Sequence, residues 1–336
     1  MNKYIGLDAH SSTCSFCVMD ARGEVVDTVT LSTNGRLLVG YLRNITGKKK
    51  LTFEECELSG WLHEILKKEV DELIVCNPVE NTAYKKAKTD KLDAKKLADL
   101  LRGNYLQEVY HDGSNREKFR DLMSGYQDLV DDAVRIKNRY KSLFRKEGQR
   151  ITGTALYSDE NFLNGLERKD FKFIGEHIYR QLSVMEESRL MYVKEIKKYC
   201  RHFKEIKYLK TLPGIADIQA AKIVAQVIDP VRFRDKYKFF SYCGLVRHQQ
   251  ISGDRVYGNK RIWGNRVLKC VYKMAAQSVL KGNSGLRKHY DYLRSKGTGH
   301  KNAKNAVSRK IAAISLVLWK NGEKYRDDMI TNGLIR

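Results

Sequence analysis

Proline occurs only three times in 336 residues, so long stretches carry no helix breaker. No run of about eighteen apolar residues occurs, which excludes a membrane-spanning helix. No low-complexity tail is present, and an apolar fraction of 42% excludes global disorder. The opening segment, Met1-Asn-Lys-Tyr-Ile-Gly-Leu-Asp8, has no signal-peptide anatomy and reads as a strand. The seven cysteines are an odd, scattered set, the pattern of a reducing cytoplasm. Cys14 and Cys17 form a lone Cys-x-x-Cys inside an apparent strand, with no second pair nearby, so structural zinc is not expected. Acid is also short: 40 Asp and Glu face 63 Lys and Arg, a net charge of +23. The excess rises after about residue 200. A polyanion is the natural partner, nucleic acid first. A membrane surface is the weaker choice, since neither an amphipathic anchor nor a lipidation signal accompanies the charge.

The length suits two domains, or two with an extended arm. Tyr4–Asp8, Thr13–Met19 and Glu24–Leu31 read as three strands joined by tight connections, an antiparallel meander. A helical pattern over Asn34–Ile45 follows, then a strand at Leu51–Glu55 and a helix capped by Ser59 and running to Val70. A strand at Glu72–Cys76 ends at Asn77-Pro78. This order describes a ribonuclease H-like α/β domain, a mixed sheet flanked by helices. Actin-like ATPase domains begin in the same way, so the placement of acids matters more. Asp8 ends the first strand and Glu54 the fourth. Asp90 and Asp93 fall on one face of a helix over Lys88–Leu101, started by Thr89 or Asp90. Two carboxylates about 5 Å apart repel by roughly 3 kcal/mol at an effective dielectric near 20. A cation reverses that sign. Converging at one edge of the sheet, the four acids suit two hard cations about 3.5–4 Å apart, each open to phosphate oxygens.

From Phe119 to Phe144 apolar residues recur every seventh position, a coiled-coil pattern. After a polar connection over Ile151–Lys169, the pattern returns from Ile174 to Ile206. Two such helices either fold back as an antiparallel arm or pair between protomers, and an arm favours oligomers. Leu209–Ile215 followed by Ile218–Ile228 reads as a helix-hairpin-helix around Pro213-Gly214, whose turn offers backbone N–H groups to phosphate. Ile251-Ser252-Gly253 reads as a turn between strands. Lys260, Arg261, Asn265 and Arg266 follow it, and an apolar helix runs over Leu268–Leu280. A basic segment with interleaved tyrosines brings Lys301 and Lys304 before a last amphipathic helix over Lys310–Lys320. These cations suit a phosphate backbone.

Gly6-Leu-Asp8, Phe53-Glu54 and Lys88-Thr-Asp90-x-x-Asp93-Ala94, with Pro213-Gly214-Ile215 and Ser252-Gly253 before Gly264-Asn265, resemble the motifs of the DEDD-type insertion-sequence transposases. An ungapped match puts the second acid at Glu54, with Glu55 and Glu57 close by. Val246-Arg247 and Lys269 depart from the family pattern. The resemblance implies a RuvC-like metal domain over 1–112, a coiled-coil arm over 113–206 and a mainly α serine transposase domain over 207–336. It further implies Mg²⁺, two ions, at Asp8, Glu54, Asp90 and Asp93, and Ser252 as nucleophile. DNA ends and target, a structured guide RNA and a dimer or tetramer are the implied partners, in a cytoplasmic, nucleoid-associated protein. Two other readings remain on the residues alone. A resolvase-like endonuclease uses the acids and water and leaves Ser252 idle; a non-catalytic architectural DNA-binding protein needs neither.

Overall fold

The computed structural model describes residues 1–78, 89–253, 255–261 and 264–330. It divides into two compact units, Met1–Ser114 and Asn115–Arg336.

In the first unit β1 (Asn2–Ala9), β2 (Thr13–Met19) and β3 (Val25–Ser32) form the expected antiparallel meander. The turn into β3 is fixed by Asp20, whose carboxylate accepts from the backbone N–H groups of Arg22 and Glu24. Helix α1 (Gly35–Asn44) is capped by Asn34, which accepts from Arg36 and Leu37 N–H. Next come β4 (Lys48–Glu54), parallel to β1; α2 (Ser59–Leu66); β5 (Glu72–Cys76), parallel to β4; and α3 (Asp90–Arg102). The resulting mixed sheet has the order β3-β2-β1-β4-β5, compatible with the ribonuclease H-like expectation.

Alternation along the strands sets the two faces. Ile5, Leu7, Leu51 and Phe53 pack with Leu38, Leu42, Leu62 and Leu66 of α1 and α2. Tyr4, Cys17 and Met19 pack instead with Ala94 and Ala98 of α3. Cys14 and Cys17 therefore serve opposite faces, an arrangement unlike a metal-binding pair. Burial raises the pKa of both thiols. One local expectation is corrected: Ser59 does not cap α2 but is its first residue, and its hydroxyl accepts from Cys56 N–H at 2.8 Å. The helix stops at Leu66, and a 3₁₀ turn over Lys67–Glu69 follows.

The second unit opens with α4 (Asn115–Lys146) and α5 (Lys169–Cys200). They run antiparallel, as the ring contacts Phe119–Tyr199, Tyr126–Tyr192 and Tyr140–Tyr179 show. Gly125 admits Tyr192: a β-carbon there would lie 2.8 Å from its hydroxyl. Around the loop end, Tyr140, Phe144 and Leu182 form a separate core with Leu156, Leu163 and Leu166. The second apolar run is two helices rather than one, because Phe203 and Ile206 turn into the core with α6 (Lys204–Leu209). That core joins Phe119, Met123 and Ile196 to the remaining helices: α7 (Asp217–Val227), α8 (Lys236–Tyr242), α9 (Arg266–Val279), α10 (Gly285–Ser295) and α11 (His300–Asn321). The last helix starts well before Lys310, and the Tyr290 hydroxyl shares a 2.6 Å hydrogen bond with Nδ1 of His300 at its first turn. Between α8 and α9 lies a two-stranded ribbon, β6 (Arg247–Ser252) and β7 (Arg255–Arg261). No helix among the described residues is long and apolar enough to cross a membrane.

Candidate functional site

The acids of the first unit are placed by a close approach of backbone to backbone. Gly6 sits under α3: a β-carbon there would lie 2.0 Å from the carbonyl oxygen of Ala94 and 2.5 Å from the amide nitrogen of Ala98. Only a glycine lets the helix this near. Two residues further on the same face, Asp8, the penultimate residue of β1, lies beneath the first turn of α3, which carries Asp90 and Asp93. Thr89 caps that turn by accepting from Leu92 N–H at 3.4 Å. The helix N-terminus favours the two carboxylates. The register that pairs Leu7 with Phe53 puts Asp8 and Glu54 side by side at the ends of neighbouring parallel strands. Lys88 lies outside the described residues.

Asp8, His10 and Asp90 each direct one ligand atom into a space where these atoms lie within 4.8 Å of one another. His10 Nε2 is 3.2 Å from Asp8 and 3.9 Å from Asp90. Burial raises the Asp8 pKa; His10 offsets part of this, and the charges of Asp90 and Asp93 add to the rise. A hard, anionic oxygen set with one imidazole, in mutual repulsion, fits a divalent cation. His10 is a residue that the sequence reading missed. Its signal was the i, i+2 spacing from Asp8, which keeps the face of a strand.

Glu55 is engaged elsewhere. Its Oε2 lies 2.7 Å from Nε2 of His111, a side chain only 2% exposed. Glu57 is exposed beyond the end of β4.

In the second unit Ser252 is exposed at the tip of the ribbon, paired with Arg255 across the turn and followed by Gly253 at φ +58°. Asp254, Ile262 and Trp263 lie outside the described residues, as do the side chains of His248, Asn259, Lys260 and Arg261. The Pro213-Gly214 turn packs on α9: Gly214 has φ +84°, and a β-carbon there would lie 2.6 Å from the Ala275 carbonyl oxygen. Asp217, paired with Lys210, holds the first turn of α7. Asn265 caps α9 by accepting from Leu268 N–H at 2.9 Å, and its amide donates to Gln226. Arg266 lines a cleft of about 240 Å³ with Lys222, whose pKa burial lowers. Lys301 is exposed, and Lys304 donates to Gln277 at 3.0 Å. Burial also lowers Arg309, Lys310 and His289, Lys310 and His289 being pressed further by neighbouring positive charge.

Two family models match separate parts of the chain. One, for the DEDD transposases of the IS110 type, matches residues 5–147; the other, "Transposase IS116/IS110/IS902 family", matches residues 206–291. The chain belongs to the IS110-type DEDD transposase family. The first match contains Asp8, Glu54, Asp90 and Asp93, and the second contains the Pro213-Gly214 turn and Ser252. The chain is similar to the "Insertion element IS110 uncharacterized 43.6 kDa protein" of Streptomyces coelicolor, 26% identical over 122 residues, 36% of this chain and 30% of that one. It is also similar to "Putative transposase y4qE" of Sinorhizobium fredii, 24% identical over 172 residues, 50% of this chain and 42% of that one. In each case the chain covers less than half of the relative's length.

Proposed function

We propose that the protein is a DNA transposase, a recombinase that cuts and rejoins DNA ends and target. One observation carries the reading: Asp8, Asp90 and Asp93 gather where α3 crosses β1, and Glu54 ends the adjacent strand. The engagement of Glu55 with His111 supports Glu54 as the second acid. Held by Asp8, Glu54, Asp90 and Asp93, divalent ions (Mg²⁺, two of them, in this reading) would supply positive charge to phosphate oxygens. The carboxylates fix where a phosphate is bound, and the first turn of α3 holds Asp90 and Asp93 beside Asp8.

Ser252 is the proposed nucleophile. Its Oγ bonds to phosphorus as the bond from phosphorus to the leaving strand's oxygen breaks, and the proton that Oγ loses ends on that oxygen as a strand hydroxyl. Attack on that phosphoserine by the hydroxyl of another strand restores the serine and joins DNA. The phosphodiester energy stays in the ester, so no nucleotide cofactor is needed. The remaining expectations from the family complete the proposal. These are an element-encoded guide RNA, a dimer or tetramer formed through α4 and α5 as a coiled-coil arm, and a cytoplasmic, nucleoid-associated setting. Division into 1–112, 113–206 and 207–336 is the functional partition in this reading. DNA contacts fall to a helix-hairpin-helix at Pro213-Gly214 and to Lys260, Arg261, Asn265, Arg266, Lys301 and Lys304.

The test is a denaturing gel of protein incubated with Mg²⁺, the element-encoded RNA and labelled element-end DNA. Wild type gives a protein–DNA adduct. Both Ser252→Ala and Asp90→Ala remove the adduct and the recombinant product, and Ser252→Ala retains DNA binding. Normal nicking by Ser252→Ala would overturn the serine mechanism in favour of attack by water. Full activity of Asp90→Ala would remove the acids from the reaction.

A further inference from the structure

The ribbon β6–β7 carries more than a serine. Ile251, Val256 and Tyr257 are 61%, 56% and 71% exposed at its tip. Ile251 and Val256 are cross-strand partners, next to the pair Ser252–Arg255. The register then slips: Gln250 pairs with Gly258, which leaves Tyr257 as the extra residue of a bulge. A bulge re-aims a side chain out of the ladder. Three large apolar side chains at one exposed tip lose the benefit of burial, worth about 25 cal/mol per Å². A two-stranded ribbon, with no further strand beside it among the described residues, is also marginal by itself. Both facts call for a partner that covers the tip.

Charge selects which partner. Between residues 247 and 261 the sequence has four Lys and Arg against a single Asp. Arg255 is exposed next to the apolar pair, and Arg247 is exposed at the base of the ribbon, opposite Arg261. An apolar centre in a cationic surround suits DNA whose bases are unstacked: the cations hold phosphates while the apolar groups replace base stacking. We propose that the ribbon tip is a DNA wedge, with Tyr257 stacking on an unpaired base and Ile251 and Val256 filling the opened step. The inference rests on the DNA-processing reading above and deepens it. Opening a base step beside Ser252 frees the adjacent backbone for attack and makes unpaired DNA the preferred ligand of this surface.

The experiment uses the full chain in chelator, so that no strand is cut. Two mixed-sequence duplexes of equal length are compared, one fully paired and one with a short mismatched bubble carrying 2-aminopurine. Wild type binds the bubble at least about fivefold more tightly, the lower end of what one stacked base contributes, and quenches the 2-aminopurine. Tyr257→Ala removes both the preference and the quench, whereas Tyr257→Phe keeps both. Tyr257 is exposed, so its loss leaves the fold intact, which circular dichroism checks. Ser252→Ala also keeps both, because stacking needs no nucleophile; a failure of the serine mechanism is thereby distinguished from a failure of the wedge. Retention of bubble preference by Tyr257→Ala overturns the proposal. So does an effect of that variant on subunit stoichiometry alone, or tighter binding of the matching RNA bubble than of the DNA.

Discussion

Asp8 illustrates what a single residue costs the protein without a cation. Burial and two neighbouring carboxylates raise its pKa, and His10 relieves only part of this. A carboxyl whose folded pKa is raised stabilises the fold fully below its unfolded pKa, and that contribution is lost as pH rises through the folded value. The metal-free protein should therefore lose stability between acidic and neutral pH through this group. Asp8→Asn removes the ionisation, and its metal-free melting temperature at pH 7 should exceed that of wild type. The same variant should lose strand cleavage by more than about 100-fold, since a donor aimed at the cation is gone. Differential scanning fluorimetry in chelator from pH 4.5 to 7.5 checks the first part. A melting temperature for Asp8→Asn below wild type at pH 7 would contradict the electrostatic account. Added Mg²⁺ should raise the wild-type melting temperature more than that of Asp8→Asn, because ligands that bind only the folded state stabilise it.

At the scale of elements, the contact between β1 and α3 decides whether there is a site. Helix α3 is seated on Gly6 with backbone atoms of Ala94 and Ala98 where a side chain would be. Gly6→Ala forces the helix away. Overpacking of this kind costs about 1–3 kcal/mol, and the contact here is with backbone, which cannot rotate aside. We expect a loss of at least about 2 kcal/mol in urea unfolding and loss of metal-dependent cleavage, even where the variant remains folded. Much of this arrangement was legible beforehand. The meander, the strand–helix alternation and the spacing of Asp90 and Asp93 are periodicities of 2 and 3.6 that local sequence carries directly. What was not legible depends on long-range pairing. The preference for Glu54 over Glu55 is supported by His111, 56 positions away. The break before α6 follows from Phe203 and Ile206 entering a shared core, although their spacing continues the α5 pattern. Tyr257 was invisible because a bulge arises from register between two strands, not from composition.

For the whole molecule the dominant quantity is the charge of +23. In the second unit, Lys222, Arg309 and Lys310 are held partly buried at a cost, as their lowered pKa values record, and the charge of Lys236 presses on Lys310 as that of Lys310 presses on His289. A fold tolerates such positions where an anion is to bind against them, because phosphate oxygens then replace the lost hydration. Binding to DNA should consequently be driven by release of counterions, with log K falling linearly against log[salt]. Contacts to about six phosphates imply a loss of roughly a thousandfold between 50 and 200 mM salt. Lys301→Gln and Lys304→Gln should each lower the magnitude of that slope by about one unit if the side chain meets a phosphate, weakening binding uniformly across DNA sequences. Tyr257→Ala should leave the slope on paired DNA unchanged, because stacking releases no counterion. Fluorescence anisotropy over a salt series gives all four slopes, and a flat wild-type dependence would sever the charge of this chain from a nucleic-acid partner.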